Sequence, residues 1–304
     1  MHIGIGIPTS DGALPPGGIA DWARRAEATG FSSLAVLDRV VFPLHEPLVT
    51  LATVAGVTDR IRLLASVIIG PTRETTLLAR QAASLDALSG GRFSLGVGVG
   101  VRRDDYAATG QAFGTRGKRL DDQLATLRRL WAGDSLEPGD LGPIGARAAR
   151  PRGPELLIGG YVGAVVRRIA DHGDGFLAPG GGTPDEMAAL WADVQAAWTA
   201  ADRAGKPRWV ASSYVALGPD AATHAREYIE STYAFDPALA ERRLRTIPQT
   251  PAAVQDLVER QAAMGVDEFV FRPCAGDRDL GDRLWEAGSG LPVVRHGPAA
   301  PDLV

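Results

Sequence analysis

Short apolar segments rich in Val, Ile and Leu alternate along the chain with longer segments in which apolar residues recur every three or four positions. In residues 19–30, Ile19, Trp22 and Ala26 have this helical spacing, and Gly30 is a typical helix stop. The apolar segments predict eight strands, at residues 2–7, 32–38, 60–70, 92–97, 155–158, 175–177, 208–217 and 267–271. The amphipathic segments predict helices at residues 19–30, 47–57, 75–89, 116–131, 162–172, 184–204, 221–233, 251–264 and 279–289, with 238–244 as a further short one.

This alternation predicts eight strand-then-helix units. Helical crossovers join parallel strands, and several of the strands are apolar on both faces, as buried parallel strands are. Eight such units favour a (β/α)8 TIM barrel over an open doubly wound sheet. We therefore expect one barrel domain over residues 1–304, with an irregular Gly/Pro-rich excursion at about 133–153. Function in such barrels lies at the carboxyl ends of the strands.

Composition narrows the class of protein. The chain has 304 residues, 45% of them apolar and 22% charged, with a net charge of −4, which excludes a disordered chain and gives no basic excess for nucleic acid. Cys274 is the only cysteine, so no intrachain disulfide forms, and no metal-binding or serine-hydrolase motif occurs. No apolar segment approaches the length of a membrane span, and the N-terminus lacks the features of a signal peptide. We expect a cytoplasmic protein with no bound metal and no membrane or nucleic-acid partner.

The end of the second predicted strand carries the candidates for catalysis. Asp38 and Arg39 stand at this strand's carboxyl end, and His45 follows in the same loop. Each could polarise a substrate or move a proton. The structural alternatives are an ion pair between Asp38 and Arg39 and a simply solvated histidine.

Two glycine-rich segments and one arginine are candidates for ligand binding. Residues 96–100 (GVGVG) come at the end of the fourth strand but lack the third glycine of the dinucleotide-binding motif G-x-G-x-x-G. We therefore interpret them as a strand end at which another group approaches the backbone closely. Residues 159–163 (GGYVG) open a helix, where free N–H groups either bind an anion or form an ordinary turn. Arg119, in the first turn of the helix at 116–131, points at a phosphate or is solvated.

Residues 85–100 (LDALSGGRFSLGVGVG) resemble the luciferase-like monooxygenase family, which carries LD-x-L-S-x-GR-x-x-x-G-x-G-x-G at the junction of helix three and strand four. Three further segments resemble the family in the same order: 104–121, with its DDY, Phe113 and RLD; LLIGG at 156–160; and IADHGDGF at 169–176. The similarity extends over most of residues 1–290.

The resemblance implies a bacterial luciferase-like (β/α)8 barrel that binds reduced FMN or the deazaflavin F420 at the strand ends. It implies a non-prolyl cis peptide within residues 65–67, at Ser66–Val67, beneath the isoalloxazine ring. It also implies a phosphate site at residues 160–164, helped by Arg119. The implied cofactor-binding residues are Ala65, Ser66, Val67, Gly98, Val99, Arg119, Gly159, Gly160, Tyr161, Gly163 and Ala164.

Two departures from the family leave the catalytic acid or base unassigned. Arg39 stands where many members have histidine, and Val101 stands where F420-dependent sugar-phosphate dehydrogenases have glutamate. The leading hypothesis is a monooxygenase that uses O2 and reduced FMN from a separate flavin reductase on a small organic substrate. The alternatives are an F420-dependent reductase or dehydrogenase and a non-catalytic flavin-binding protein. The family often dimerises, so we expect a homodimer.

Overall fold

The computed structural model describes residues 1–10, 13–134, 145, 147–180, 183–274 and 280–288. Eight parallel strands close into a barrel in chain order, each paired with the next and the last paired with the first. The strands are β1 (His2–Gly6), β2 (Ser33–Val36), β3 (Arg62–Ile69), β4 (Phe93–Gly98), β5 (Glu155–Gly159), β6 (Gly175–Leu177), β7 (Arg208–Val215) and β8 (Glu268–Pro273). The predicted TIM barrel is confirmed.

Helices surround the barrel, and local residues set their ends. The side chain of Glu46 accepts a hydrogen bond from the Val49 N–H before α2, and Thr183 and Glu186 form a capping box before α7. The helices are α1 (Gly18–Thr29), α2 (Pro47–Ala55), α3 (Thr75–Leu88), α4 (Arg103–Ala108), α5 (Arg116–Ala132), α6 (Ala164–Asp171), α7 (Pro184–Ala200), α8 (Ala221–Thr232), α9 (Pro237–Leu244), α10 (Pro251–Ala263) and α11 (Leu280–Gly288). The short α4 was not predicted. Most of the predicted excursion at 133–153 lies outside the described residues.

The barrel interior is filled by side chains from alternate positions of the strands. An apolar layer at mid-height consists of Ala35, Leu64, Leu157, Leu177, Val210 and Val270. Because side chains alternate along a strand, Glu268 lies below Val270 on the inner face of β8 and Arg272 lies above it. The amino ends of the strands are called the base below, and their carboxyl ends with the following loops are called the mouth.

The base is closed by buried ion pairs. Arg208 donates to Glu155 at 2.5 Å and to Glu268, and Arg62 donates to Glu155 at 2.7 Å. Ser94 adds a hydroxyl hydrogen bond to Glu155 at 2.5 Å. Burial alone would raise the pKa of Glu155, but Arg208 and Arg62 lower this pKa to about 2. Each arginine at the base therefore has a carboxylate partner.

Acid is expected to destabilise the protein through this network. The pKa of Glu155 is about 2 in the folded state against an ordinary 4.5, so its contribution to stability is complete above about pH 5 and is lost as the pH falls towards 2. Urea unfolding at a series of pH values would measure the loss. Glu155→Gln should flatten the curve, and an equally steep fall in that variant would contradict the assignment to Glu155.

His172 and Asp174 precede β6 at the base, where their hydrogen bonds connect neighbouring elements of the fold. Asp174 accepts hydrogen bonds from the Leu156 N–H at 2.8 Å and from Arg128 at 2.7 Å. Arg128 also donates to the His172 carbonyl oxygen at 2.8 Å. These bonds join α5 to the start of β5 and β6.

Two kinds of feature are absent from the described part of the chain. None of its helices is both long enough and apolar enough to cross a membrane. Nor does that part bring three or more His, Cys, Asp or Glu side chains together as metal ligands.

Candidate functional site

A cavity of about 110 Å³ opens at the mouth between β1, β2 and β8. Its described lining is largely apolar, with Arg272 as a charged member. The lining residues are Gly6, Ile7, Pro8, Thr9, Ser10, Ala13, Ala35, Val36, Leu37, Tyr228, Arg272, Pro273 and Cys274. The cavity therefore lies where the fold predicts function.

Asp38 is buried at the mouth and is held by the loop after β3. Its carboxylate accepts a hydrogen bond from the Ile69 N–H at 2.9 Å and pairs with Arg73 at 3.1 Å. Arg73 also binds Glu46 at 2.8 Å, and these two carboxylates raise the pKa of Arg73 against the opposing effect of burial. An ion pair between Asp38 and Arg39 was one alternative from the sequence, but the partner of Asp38 in the structure is Arg73.

Arg39 instead binds Asp105 at the start of α4. Its Nε donates to Asp105 at 3.1 Å, and the other carboxylate oxygen of Asp105 accepts from the N–H groups of Val40 and Val41 at 2.9 and 2.8 Å. Arg39 Nη2 is buried without a partner among the described residues. Asp105 thus fixes the loop after β2 against the loop after β4.

His45 is exposed, and its backbone N–H donates to the Thr9 carbonyl oxygen at 3.0 Å. The structure therefore brings Asp38 and Arg39 into two separate ion pairs and leaves the His45 side chain at the surface. The three candidates do not form one catalytic cluster.

The contacts of Asp38 predict a stability effect. Asp38→Ala is expected to lower the free energy of unfolding by about 2–4 kcal/mol, because it leaves the Ile69 N–H unsatisfied and removes a buried partner of Arg73. His45→Ala is the control from the same loop and should change stability by at most about 0.5 kcal/mol. Urea unfolding measures both, and equal effects of the two substitutions would contradict this interpretation.

The peptide bond between Ser66 and Val67 is cis, as the resemblance implies, and it faces the mouth from β3. Arg272 reaches it from β8 and donates to the Ser66 carbonyl oxygen at 3.1 Å and to the hydroxyl at 2.7 Å. Ala65 is fully buried beside this bond.

The Val67 side chain occupies the space beside the glycines of β4 and β5. A Cβ added at Gly98 would lie 3.1 Å from Val67 Cγ2, and one added at Gly159 would lie 2.7 Å from Val67 Cγ1. A side chain at Gly159 would therefore clash with Val67, and one at Gly98 would force Val67 to move slightly. Close approach was predicted for Gly98, and its partner proves to be this side chain.

Val99 and Arg119 both bind neighbouring loops. The Val99 carbonyl oxygen accepts from the Tyr106 hydroxyl at 2.5 Å, which ties the end of β4 to α4. Arg119 Nε donates to the Pro71 carbonyl oxygen at 2.8 Å. Its hydrogen bonds thus hold the turn after β3 and do not reach residues 160–164.

The loop after β5 leads directly into α6 and leaves the first N–H groups of that helix open. Gly163 precedes α6 and no side chain caps the helix, while the N–H groups of Gly163 and Ala164 have no hydrogen-bond partner in the described residues. A Cβ at Gly163 would meet nothing within 4 Å. The donors, the helix dipole and this space fit a phosphate group.

Tyr161 anchors this loop to the loop after β6 and to α9. Its hydroxyl donates to the Gly180 carbonyl oxygen at 2.9 Å and accepts a hydrogen bond from Arg243 on α9. Gly160, just before it, has φ +152°, and a Cβ there would lie 2.7 Å from Val165 Cγ2. The loop is therefore held in place while the start of α6 remains accessible.

Sequence reasoning missed three residues that organise the mouth: Arg73, Asp105 and Arg243. Arg73 lies in the loop after β3 and Asp105 in the short α4 after β4, in the region where function was expected, but their partners are distant in the sequence. Arg243 lies on α9, and nothing local distinguishes it from a solvated helical arginine. The position of Arg272 at a strand end was a usable signal.

Comparison with known proteins agrees with this architecture. The sequence model of the family described as luciferase-like monooxygenase matches residues 1–282. The fold and the mouth thus define a luciferase-like (β/α)8 barrel. The chain belongs to the luciferase-like monooxygenase family, whose members are mostly flavin- or F420-dependent oxidoreductases.

Three similar proteins illustrate the range of relatives. An uncharacterised protein of Mycobacterium tuberculosis is 34% identical over 199 residues, which cover 57% of this chain and 68% of the relative. An F420-dependent glucose-6-phosphate dehydrogenase of Amycolatopsis mediterranei is 30% identical over 192 residues, covering 58% of this chain and 57% of the relative. A solved F420-dependent secondary alcohol dehydrogenase has a TM-score of 0.77 at 17% identity, covering 97% of this chain and all of the other, which shows a shared fold.

Proposed function

We propose that the protein is an oxidoreductase that holds a phosphate-bearing deazaflavin, coenzyme F420, over the mouth of the barrel. The observation that carries the proposal is the start of α6, where the N–H groups of Gly163 and Ala164 have no hydrogen-bond partner in the described residues and a Cβ at Gly163 would meet nothing within 4 Å. A phosphate bound there would place the rest of the cofactor along the ends of β3, β4 and β5. Of the cofactor-binding residues named from the resemblance, Arg119 lies on α5, and the others lie at or near these strand ends or at the start of α6.

F420 is the first candidate because two relatives that are 30% identical to this chain are F420-dependent glucose-6-phosphate dehydrogenases. When bound, F420 supplies the hydride acceptor or donor. The residues of this chain would bind the phosphate at α6 and position the ring above Ser66 and Val67. The apolar layer inside the barrel would lie beneath the ring.

The side chains around the cavity limit how this chain can handle protons. Burial raises the pKa of the Cys274 thiol to about 12, and burial also raises the pKa of Tyr228. Both groups are therefore neutral near pH 7 and can donate hydrogen bonds. Asp38 and Asp105 are held in ion pairs, so we propose that they shape the mouth.

Reduced FMN with O2 is the second candidate, and the monooxygenase description of the family favours it. FMN also carries a phosphate, so the same residues would bind it. This alternative requires a separate flavin reductase as a partner, and in either case a small organic molecule would occupy the cavity.

Parallel titrations with F420 and FMN, each oxidised and reduced, test the proposal through fluorescence and anaerobic absorbance. We expect F420 to bind and its reaction to be indifferent to oxygen. Binding of reduced FMN with oxygen consumption would replace the first candidate by the second. Binding of neither would refute the proposed function, and binding without turnover of any alcohol, sugar phosphate or aldehyde would favour a non-catalytic flavin-binding protein.

A further inference from the structure

The inward-facing arginines at the two ends of the barrel differ in whether they have carboxylate partners. At the base, Arg208 lies between Glu155 and Glu268. At the mouth, Arg272 continues the inner face of β8 two positions beyond Val270, but no carboxylate of the described residues pairs with it. Among the residues that the structure describes, the buried charges are thus balanced at the base, whereas Arg272 at the mouth has no counter-charge.

The hydrogen bonds of Arg272 leave donors without partners. Its Nη2 donates hydrogen bonds to the two uncharged oxygens of Ser66, while Nε is buried with no partner among the described residues. The aromatic ring of Tyr214 lies 6.0 Å from the guanidinium carbon and adds only a weak cation–π attraction. A half-buried cation without a counter-charge is costly in a folded protein unless a ligand supplies that charge.

Two acidic side chains that the structure describes at the mouth already have arginine partners. Asp38 is bound by Arg73, and Asp105 is bound by Arg39. Neither carboxylate forms an ion pair with Arg272, so the positive charge at the cavity stays uncompensated by them.

The rest of the cavity selects for an apolar molecule. Ile7, Pro8, Val36, Leu37 and Pro273 contribute aliphatic surface. Arg272 is the one charged residue in the described lining, and guanidinium geometry matches a planar carboxylate through two parallel hydrogen bonds. One cation in an aliphatic cavity fits a small molecule with one anionic group and an apolar body.

We propose that the cavity between β1, β2 and β8 binds the substrate as a small apolar carboxylate, with Arg272 as the residue that recognises the carboxylate. The position of this substrate relative to a cofactor rests on the proposed function, because Arg272 contacts the Ser66–Val67 peptide on which the ring is proposed to lie. The binding of the carboxylate itself does not depend on the cofactor. Arg272 is thus a specificity-determining residue.

Benzoate and benzamide are suitable probes because they have nearly the same shape and differ in charge. Calorimetric titration of the full chain should detect benzoate and should show benzamide binding at least tenfold more weakly. Arg272→Gln is expected to weaken benzoate about 30-fold, the size of effect typical for a lost charge-assisted hydrogen bond. Arg272→Lys should weaken benzoate binding less than Arg272→Gln does, because lysine keeps the positive charge and lacks only the paired N–H donors of the guanidinium group.

Arg226→Gln is the matched control. It removes the same charge from the exposed face of α8, the helix that presents Tyr228 to the cavity, and it should leave benzoate affinity unchanged. Equal binding of benzoate and benzamide to the unaltered protein would overturn the proposal, as would equal losses in R272Q and R226Q. The first comparison needs no variant, so it decides the question even if R272Q fails to fold.

The same titrations separate this inference from the proposed function. Selective benzoate binding without binding of F420 or FMN would retain the carboxylate site and refute the cofactor proposal. Cofactor binding without benzoate selectivity would do the reverse. If R272Q weakens cofactor binding and leaves benzoate affinity unchanged, Arg272 binds the cofactor, and the substrate proposal is overturned.

Discussion

Replacing Glu155 by alanine is expected to lower the free energy of unfolding by about 3–5 kcal/mol, the usual effect of removing one partner of a buried ion pair. Glu155 accepts hydrogen bonds from Arg62, Arg208 and Ser94 within the closed base of the barrel. After the substitution Arg208 keeps Glu268, but Arg62 retains only the Ser94 hydroxyl. Urea denaturation measures the change as a lower midpoint at an unchanged slope.

Two further variants show whether charge is the cause. Glu230→Ala removes an exposed carboxylate that pairs with Arg226 on α8, and it should have no measurable effect. Arg62→Met combined with Glu155→Leu removes the stranded cation and fills the space with apolar atoms, so stability should recover part of the loss. If E155A and E230A unfold at the same urea concentration, the base network contributes no stability.

The parts of the fold that were predictable are those specified by neighbouring residues. All eight strands were identified from apolar segments, and α1 and α3 from helical spacing followed by glycine. The closed barrel followed from the regular alternation, because parallel strands joined by helices have few arrangements. The short α4 was missed because six residues hold too little of a helical period to be recognised.

The site was less predictable because its contacts join distant parts of the sequence. Asp38 lies at the mouth as predicted, but its partner Arg73 is 35 residues away in the sequence, and the adjacent Arg39 pairs with Asp105. Gly98 was correctly recognised as a place of close approach, yet only the folded chain shows that Val67 is what approaches. The local sequence indicates the position of a side chain along a strand, but it does not indicate which distant residue that side chain contacts.

Introducing aspartate at Gly163 is expected to reduce cofactor affinity about 100-fold, or roughly 3 kcal/mol, through repulsion of the bound phosphate. The backbone at Gly163 has φ −54°, which any residue adopts, and a new Cβ there would meet no atom within 4 Å. A negative charge beside the first turn of α6 also interacts favourably with the helix dipole. Stability should therefore remain equal or rise slightly while binding falls, which general misfolding would not produce.

Gly163→Asn is the control for this substitution, because asparagine has nearly the shape of aspartate without its charge. Affinity for the cofactor should fall far less in G163N than in G163D, and added salt should narrow the difference. Equal losses would indicate a steric effect, and no loss in either variant would place the phosphate elsewhere.

The size of the affinity loss in G163D also distinguishes the two candidate cofactors. FMN ends in a phosphomonoester with a charge of about −1.5 to −2 at pH 7. The phosphodiester of F420 carries a single charge, so G163D should repel FMN more strongly than F420.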